Sequence, residues 1–266
     1  MPIQSRNRDK ANEFSLIPER KLLELYSWTV RCRLLGDLLE GAHPCANSRD
    51  LEAAAVAVCL DLRRGDRIFA TGGEFLPAYV RDRKLEAALE ALRAPGPSVS
   101  ARLKEALAAA RELKRSRTRS IVAVFCAGAA GRGAAWKQAL SIADAETLPL
   151  IFVRILSARD AGSGHAEHGF AAIPADCHDV VAIYRVAAES FAHARRGDGA
   201  TLIECAWWPL AEDGGNDAVV NLEDFLDARG IGVARTKAAA SASFGRDVRR
   251  FVKPRPGRKT ARQMAG

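Results

Sequence analysis

The stretch from Ser120 to Val153, SIVAVFCAGAAGRGAAWKQALSIADAETLPLIFV, constrains what this chain can fold into more than any other. Ile121 to Phe125 form a short unbroken apolar run, as expected of a strand buried on both faces of a parallel sheet. Gly128, Gly131 and Gly133 end that run. Helical spacing resumes through Trp136, Ala139, Leu140 and Ala143, and Leu150 to Val153 supply a second strand. A strand, a glycine turn and a helix is the arrangement in which α/β proteins hold phosphates, because N–H groups at a helix start attract anions. Gly128, Gly131, Arg132 and Gly133 are therefore candidates for a residual anion site, with Arg132 as counter-charge. The alternative is that these glycines only allow tight packing of strand on helix.

The rest of the chain continues the alternation. Apolar residues at helical spacing run from Arg20 to Glu40, and LEAAAVAVCLDLR reads as a second helix. A short strand is expected at Arg67 to Thr71, then helices over Glu74 to Leu92 and Val99 to Arg115. A further helix is expected over His178 to Arg196, a third core strand over Thr201 to Trp207, and a short terminal helix from Leu222. Strands alternating with helices predict an α/β fold, a parallel sheet wrapped by helices. With 48% hydrophobic residues in 266, the chain can bury a substantial core.

The net charge of +8 is concentrated at one end. Residues 246–266 hold eight basic residues and one acid, so the other 245 residues are close to neutral. The expectation is an N-terminal arm over 1–19, an α/β domain over 20–245, and a disordered basic tail over 246–266. MPIQSRNRDK lacks an apolar stretch, and no apolar run approaches the roughly 18 residues of a membrane span, so a cytoplasmic protein is expected. The six cysteines show no CxxC spacing and read as reduced thiols.

Several phrases, in order, carry a resemblance. LLELYSWTVRCRLLGDLLEG, EAAAVAVCLDLRRGDRIFAT, QALSIADAETLPLIFV, HGFAAIPADCHDVVAIY and GDGATLIE are similar to successive passages of one family. It is the α subunit of thiamine-diphosphate-dependent 2-oxo acid dehydrogenases, the decarboxylating component of pyruvate, branched-chain and acetoin complexes. The resemblance implies a thiamine-diphosphate-binding-like fold that pairs with a β-type subunit or with itself. It also implies a cofactor held through Mg²⁺ by a Gly-Asp-Gly turn and a downstream asparagine, hard oxygen ligands suited to that ion.

This sequence departs from the family pattern where the chemistry sits. Ala127, Gly128 and Ala129, or Cys126, Ala127 and Gly128 in the neighbouring register, stand at Gly-Asp-Gly. Leu156 or Ser157 stands at the asparagine, and Gly72, Gly73, Phe75 and Pro77 replace the tyrosine, arginine and two histidines of an upstream loop. WWPLAEDGG replaces a downstream Gly-His-Ser motif, leaving Trp207 and Trp208 as core edge or interface anchor.

Other candidates weigh little. Gly197-Asp198-Gly199 spells the metal turn but lies at a helix end, where a glycine cap explains it. His165, His168, Cys177 and His178 are zinc-type ligands at a spacing that matches no common zinc pattern. Cys126 reads as a buried strand-end thiol rather than a nucleophile.

The sequence therefore predicts a pseudoenzyme: a divergent dehydrogenase α-like structural or regulatory subunit with no catalytic residue, no metal ligand and no bound cofactor. Two alternatives stay open. One is an active decarboxylase of a 2-oxo acid, with thiamine diphosphate and Mg²⁺ in a site completed by a β-type partner. The other is a module whose basic tail binds nucleic acid or an acidic protein.

Overall fold

The computed structural model describes residues 17–40, 48–71, 75–93, 98–156, 172–206 and 217–252. In chain order these form α1 (Glu19–Leu39), α2 (Ser48–Cys59), β1 (Arg67–Ala70), α3 (Phe75–Asp82), α4 (Leu85–Arg93) and α5 (Val99–Arg115). There follow β2 (Val122–Ala127), a 3-10 turn (Gly128–Arg132), α6 (Ala134–Ala145), β3 (Leu150–Ile155) and β4 (Ala172–Asp176). The last elements are α7 (Val180–Arg196), β5 (Thr201–Ala206), α8 (Ala218–Asp227) and α9 (Ala234–Val252).

The five strands form one all-parallel sheet in the order β1-β2-β3-β5-β4. β2 pairs with β3 from Val122↔Leu150 to Ala127↔Ile155, and β3 with β5 from Ile151↔Thr201 to Ile155↔Cys205. Every residue of β3 and β5 is buried, which is why both read as nearly continuous apolar runs. Alternate residues serve two separate cores. Ile121, Ala123, Phe125, Ile151, Val153 and Ile203 face the larger one, built with α1–α4 and α7–α9. Val122, Val124, Leu150, Phe152 and Leu202 face the smaller one, which α5 and α6 close. α2 runs inside the larger core, with Ala53, Ala54, Ala55 and Ala57 all inaccessible. Side chains that small let it lie close to both α1 and α7.

The structure departs from the sequence expectations in three places. The single helix expected over Glu74–Leu92 is two, because Arg83 adopts φ 55° and turns the chain between α3 and α4. β4 was not expected as a strand; it is five residues long, contains Pro174, and lies at the edge of the sheet. The basic segment placed from Arg246 onward begins inside a helix, since α9 continues to Val252. Arg31 fastens that helix to α1. Its guanidinium lies 4.7 Å from the Trp28 ring centre, donates to Ser243 Oγ at 2.9 Å, and pairs with Asp247 at 2.7 Å. Among the described residues, no helix is long and apolar enough to cross a membrane.

Candidate functional site

Ligands of parallel α/β sheets bind beyond the carboxyl ends of the strands. At that end β2 stops at Ala127, and Gly128, with φ +59°, bends the chain into the 3-10 turn. α6 begins behind Gly133. Beneath the turn, Cys126, Arg154 and Glu204 stand in register on β2, β3 and β5 and form one row on the smaller-core face. Arg154 and Glu204 are 2% and 0% exposed, with Nη1 donating to Oε1 at 2.7 Å. A Cβ at Gly131 would lie 3.0 Å from Arg154 Cγ and 3.1 Å from Nε. Gly131 makes a close approach: the turn rests on the arginine stem, which would have to give by a few tenths of an ångström to admit a Cβ.

These residues do not fit a Mg²⁺–diphosphate group. Cys126, Ala127 and Gly128 offer no side-chain oxygen; of the two positions expected at the asparagine, Leu156 is a buried apolar residue and Ser157 lies outside the described residues. The four anion-site candidates are all in this turn. Gly128 and Gly133 face open space, whereas Gly131 is spent on packing against Arg154. The side chain of Arg132 lies outside what is described, and α6 starts without a side-chain cap. Cys126 is completely buried.

A second constellation lies at the carboxyl end of β4. Asp176 ends the strand, Cys177 and His178 make the turn, and Asp179 caps α7 by accepting the N–H of Ala182 at 2.8 Å. The turn is held to the sheet by the Cys177 N–H, which donates to the Ala206 carbonyl at 2.9 Å. Asp50, in the first turn of α2, lies beside it. His178 Nδ1 lies 3.3 Å from Cys177 Sγ and 3.6 Å from Asp176 Oδ1, while Nε2 lies 3.7 Å from Asp50 Oδ1. Asp176 Oδ1 also accepts the His178 N–H at 2.9 Å. Burial alone would depress the imidazole pKa. Its contacts with Asp176, Asp50 and Cys177 outweigh burial and raise it to about 11. Burial pushes the Cys177 thiol up, and His178 only partly offsets this.

The sequence singled out Cys177 and His178, and the structure brings them together. Their companions there, His165 and His168, lie outside the described residues, as do Trp207 and Trp208. Asp50 and Asp176 were missed. Asp176 is adjacent and could have been noticed, whereas no spacing rule links Asp50 to a turn more than a hundred residues away.

At the opposite, amino end of the sheet, a groove of about 710 Å³ is lined by residues including Ile173, Glu189, Ser190, His193, Arg196 and Asp198. The Gly197-Asp198-Gly199 turn is on its rim. Gly197 closes α7 in the left-handed conformation at φ 87°, as a helix cap. Compared with models of known protein families and with curated proteins, the chain matches none.

Proposed function

We propose that this chain is a non-catalytic, dehydrogenase α-like subunit with a structural or regulatory role. The reading rests on the family resemblance of its sequence and on one observation at the strand ends. In the turn that the resemblance aligns with the metal motif, residues 126–129 carry no side-chain oxygen, and beneath it lies the buried Arg154–Glu204 pair, with Gly131 packed against the arginine stem. A five-stranded parallel sheet with a glycine turn after its second strand is consistent with that ancestry. The other cysteines described, Cys32, Cys59 and Cys205, have thiols pushed up by burial and so are poor nucleophiles.

Isothermal titration of the full chain with thiamine diphosphate and Mg²⁺ tests the reading. No heat of binding is expected at micromolar cofactor. Micromolar affinity would overturn it and favour an active site completed by a β-type partner.

A further inference from the structure

We propose that Asp50, Cys177 and His178 form a binding site for a zinc-class divalent cation, with Asp176 as the carboxylate that orients the histidine. One ligand atom from each of the three residues lies within 4.8 Å of the other two. Thiolate sulfur, imidazole nitrogen and carboxylate oxygen are the donor types that Zn²⁺ takes, and three protein donors leave a fourth tetrahedral position for water or a small ligand.

Nε2 is 3.7 Å from Asp50 Oδ1, and Cys177 Sγ lies 3.8 Å from Nε2 and 3.3 Å from Nδ1, so an ion on Nε2 takes the thiolate after a turn of the Cys177 side chain. Asp176 Oδ1 is 3.6 Å from Nδ1, the ring nitrogen that a metal-bound histidine commonly gives to a carboxylate. The three donors are held by elements distant in sequence yet tied together. α2 packs against α7, and the Cys177–His178 turn is bonded to the end of β5. Cys177 and His178 are 0% and 3% exposed, whereas Asp50 is half-buried.

The site is independent of the thiamine-diphosphate resemblance, since it uses β4 and α2 rather than the glycine turn. It ties the edge strand to the central helix, and its free position would face the carboxyl end of the sheet.

The test is titration of metal-stripped, reduced full-length protein with Zn²⁺ by competition against a chromophoric chelator, and with Co²⁺ by absorption. One equivalent is expected to bind at micromolar concentration or below, with a thiolate-to-cobalt charge-transfer band in the near ultraviolet. Cys177→Ser should remove the band. Asp176→Asn should weaken Zn²⁺ binding by about 10-fold to 100-fold, and Asp50→Asn by more. His165→Ala/His168→Ala should leave affinity and band unchanged. Because Asp50 is half-buried, its asparagine variant keeps the fold, and it decides the matter if Cys177→Ser misfolds. Failure to bind either ion at submillimolar concentration, or Zn²⁺ affinity unchanged by Asp50→Asn, overturns the site.

Discussion

The two ends of the sheet each bury an arginine–carboxylate pair, and the pairs are built differently. At the amino end Asp66 is inaccessible, accepts the backbone N–H groups of Ile121 at 2.9 Å and Arg63 at 2.6 Å, and is gripped by both Nη atoms of Arg195 at 3.0 and 2.8 Å. That carboxylate joins the starts of β1 and β2 to the last turn of α7. At the carboxyl end Arg154 and Glu204 meet side chain to side chain across neighbouring strands. The first pair completes the hydrogen bonding of the backbone; the second lies beneath the glycine turn. An α/β protein needs a stable amino end and is free to vary the carboxyl end, where functional groups are placed.

The largest expected effect comes from the amino end. Asp66→Ala removes the partner of two backbone donors and of a largely buried guanidinium, and should cost about 3–5 kcal/mol in urea unfolding. Adding Arg195→Met should recover little, because the N–H groups of Ile121 and Arg63 remain unanswered. Glu204→Leu removes the 2.7 Å partner of a buried guanidinium and should also cost about 3–5 kcal/mol. Here Arg154→Met/Glu204→Leu should return part of that loss, since apolar side chains of similar volume suit the space. Equal recovery at both ends would erase the distinction.

Asp217 is a third case that separates burial from backbone bonding. It caps α8 by accepting the N–H groups of Val219 at 2.9 Å and Val220 at 3.1 Å, and it pairs with Arg33 at 2.7 Å, yet its side chain is 25% exposed. Asp217→Ala should cost only about 1 kcal/mol. Burial pushes its pKa up, but Arg33 and the cap donors overcome this and hold it below the usual value. A depressed folded pKa means the contribution is complete above the unfolded value of about 3.9 and fades as pH falls through the folded one. The wild-type advantage over the alanine variant should therefore shrink in acid; an advantage constant from neutral pH into strong acid would remove the electrostatic part of the account.

The sheet was legible where strands are buried on both faces, because β2, β3 and β5 then show as apolar runs. Their charges were less so. Arg154 and Glu204 are visible as single charged residues inside LIFVRI and TLIECA, but only the strand register makes them partners. α9 escaped notice because its many charges hide a narrow apolar stripe, Ala240, Phe244 and Val248 at intervals of four, and because its main anchor is Arg31 on α1. The candidate cation site was half legible: Cys177 and His178 are neighbours in the sequence, whereas Asp50 joins them only through the packing of α2 on α7.

The strand order has a consequence for how the chain assembles. β4 is made before β5 but pairs only with β5 among the described strands, and β5 lies between β4 and β3. Until residue 206 is available, β4 has no neighbour among the described strands to accept or donate a ladder bond. β1, β2 and β3 can zip in order as they emerge, while β4, α7 and β5 must arrive as one unit with long sequence separations to close. The turn that carries Cys177 and His178 is therefore a late-forming joint of the molecule, and a metal ion bound there would act on the final docking step rather than on the nucleus.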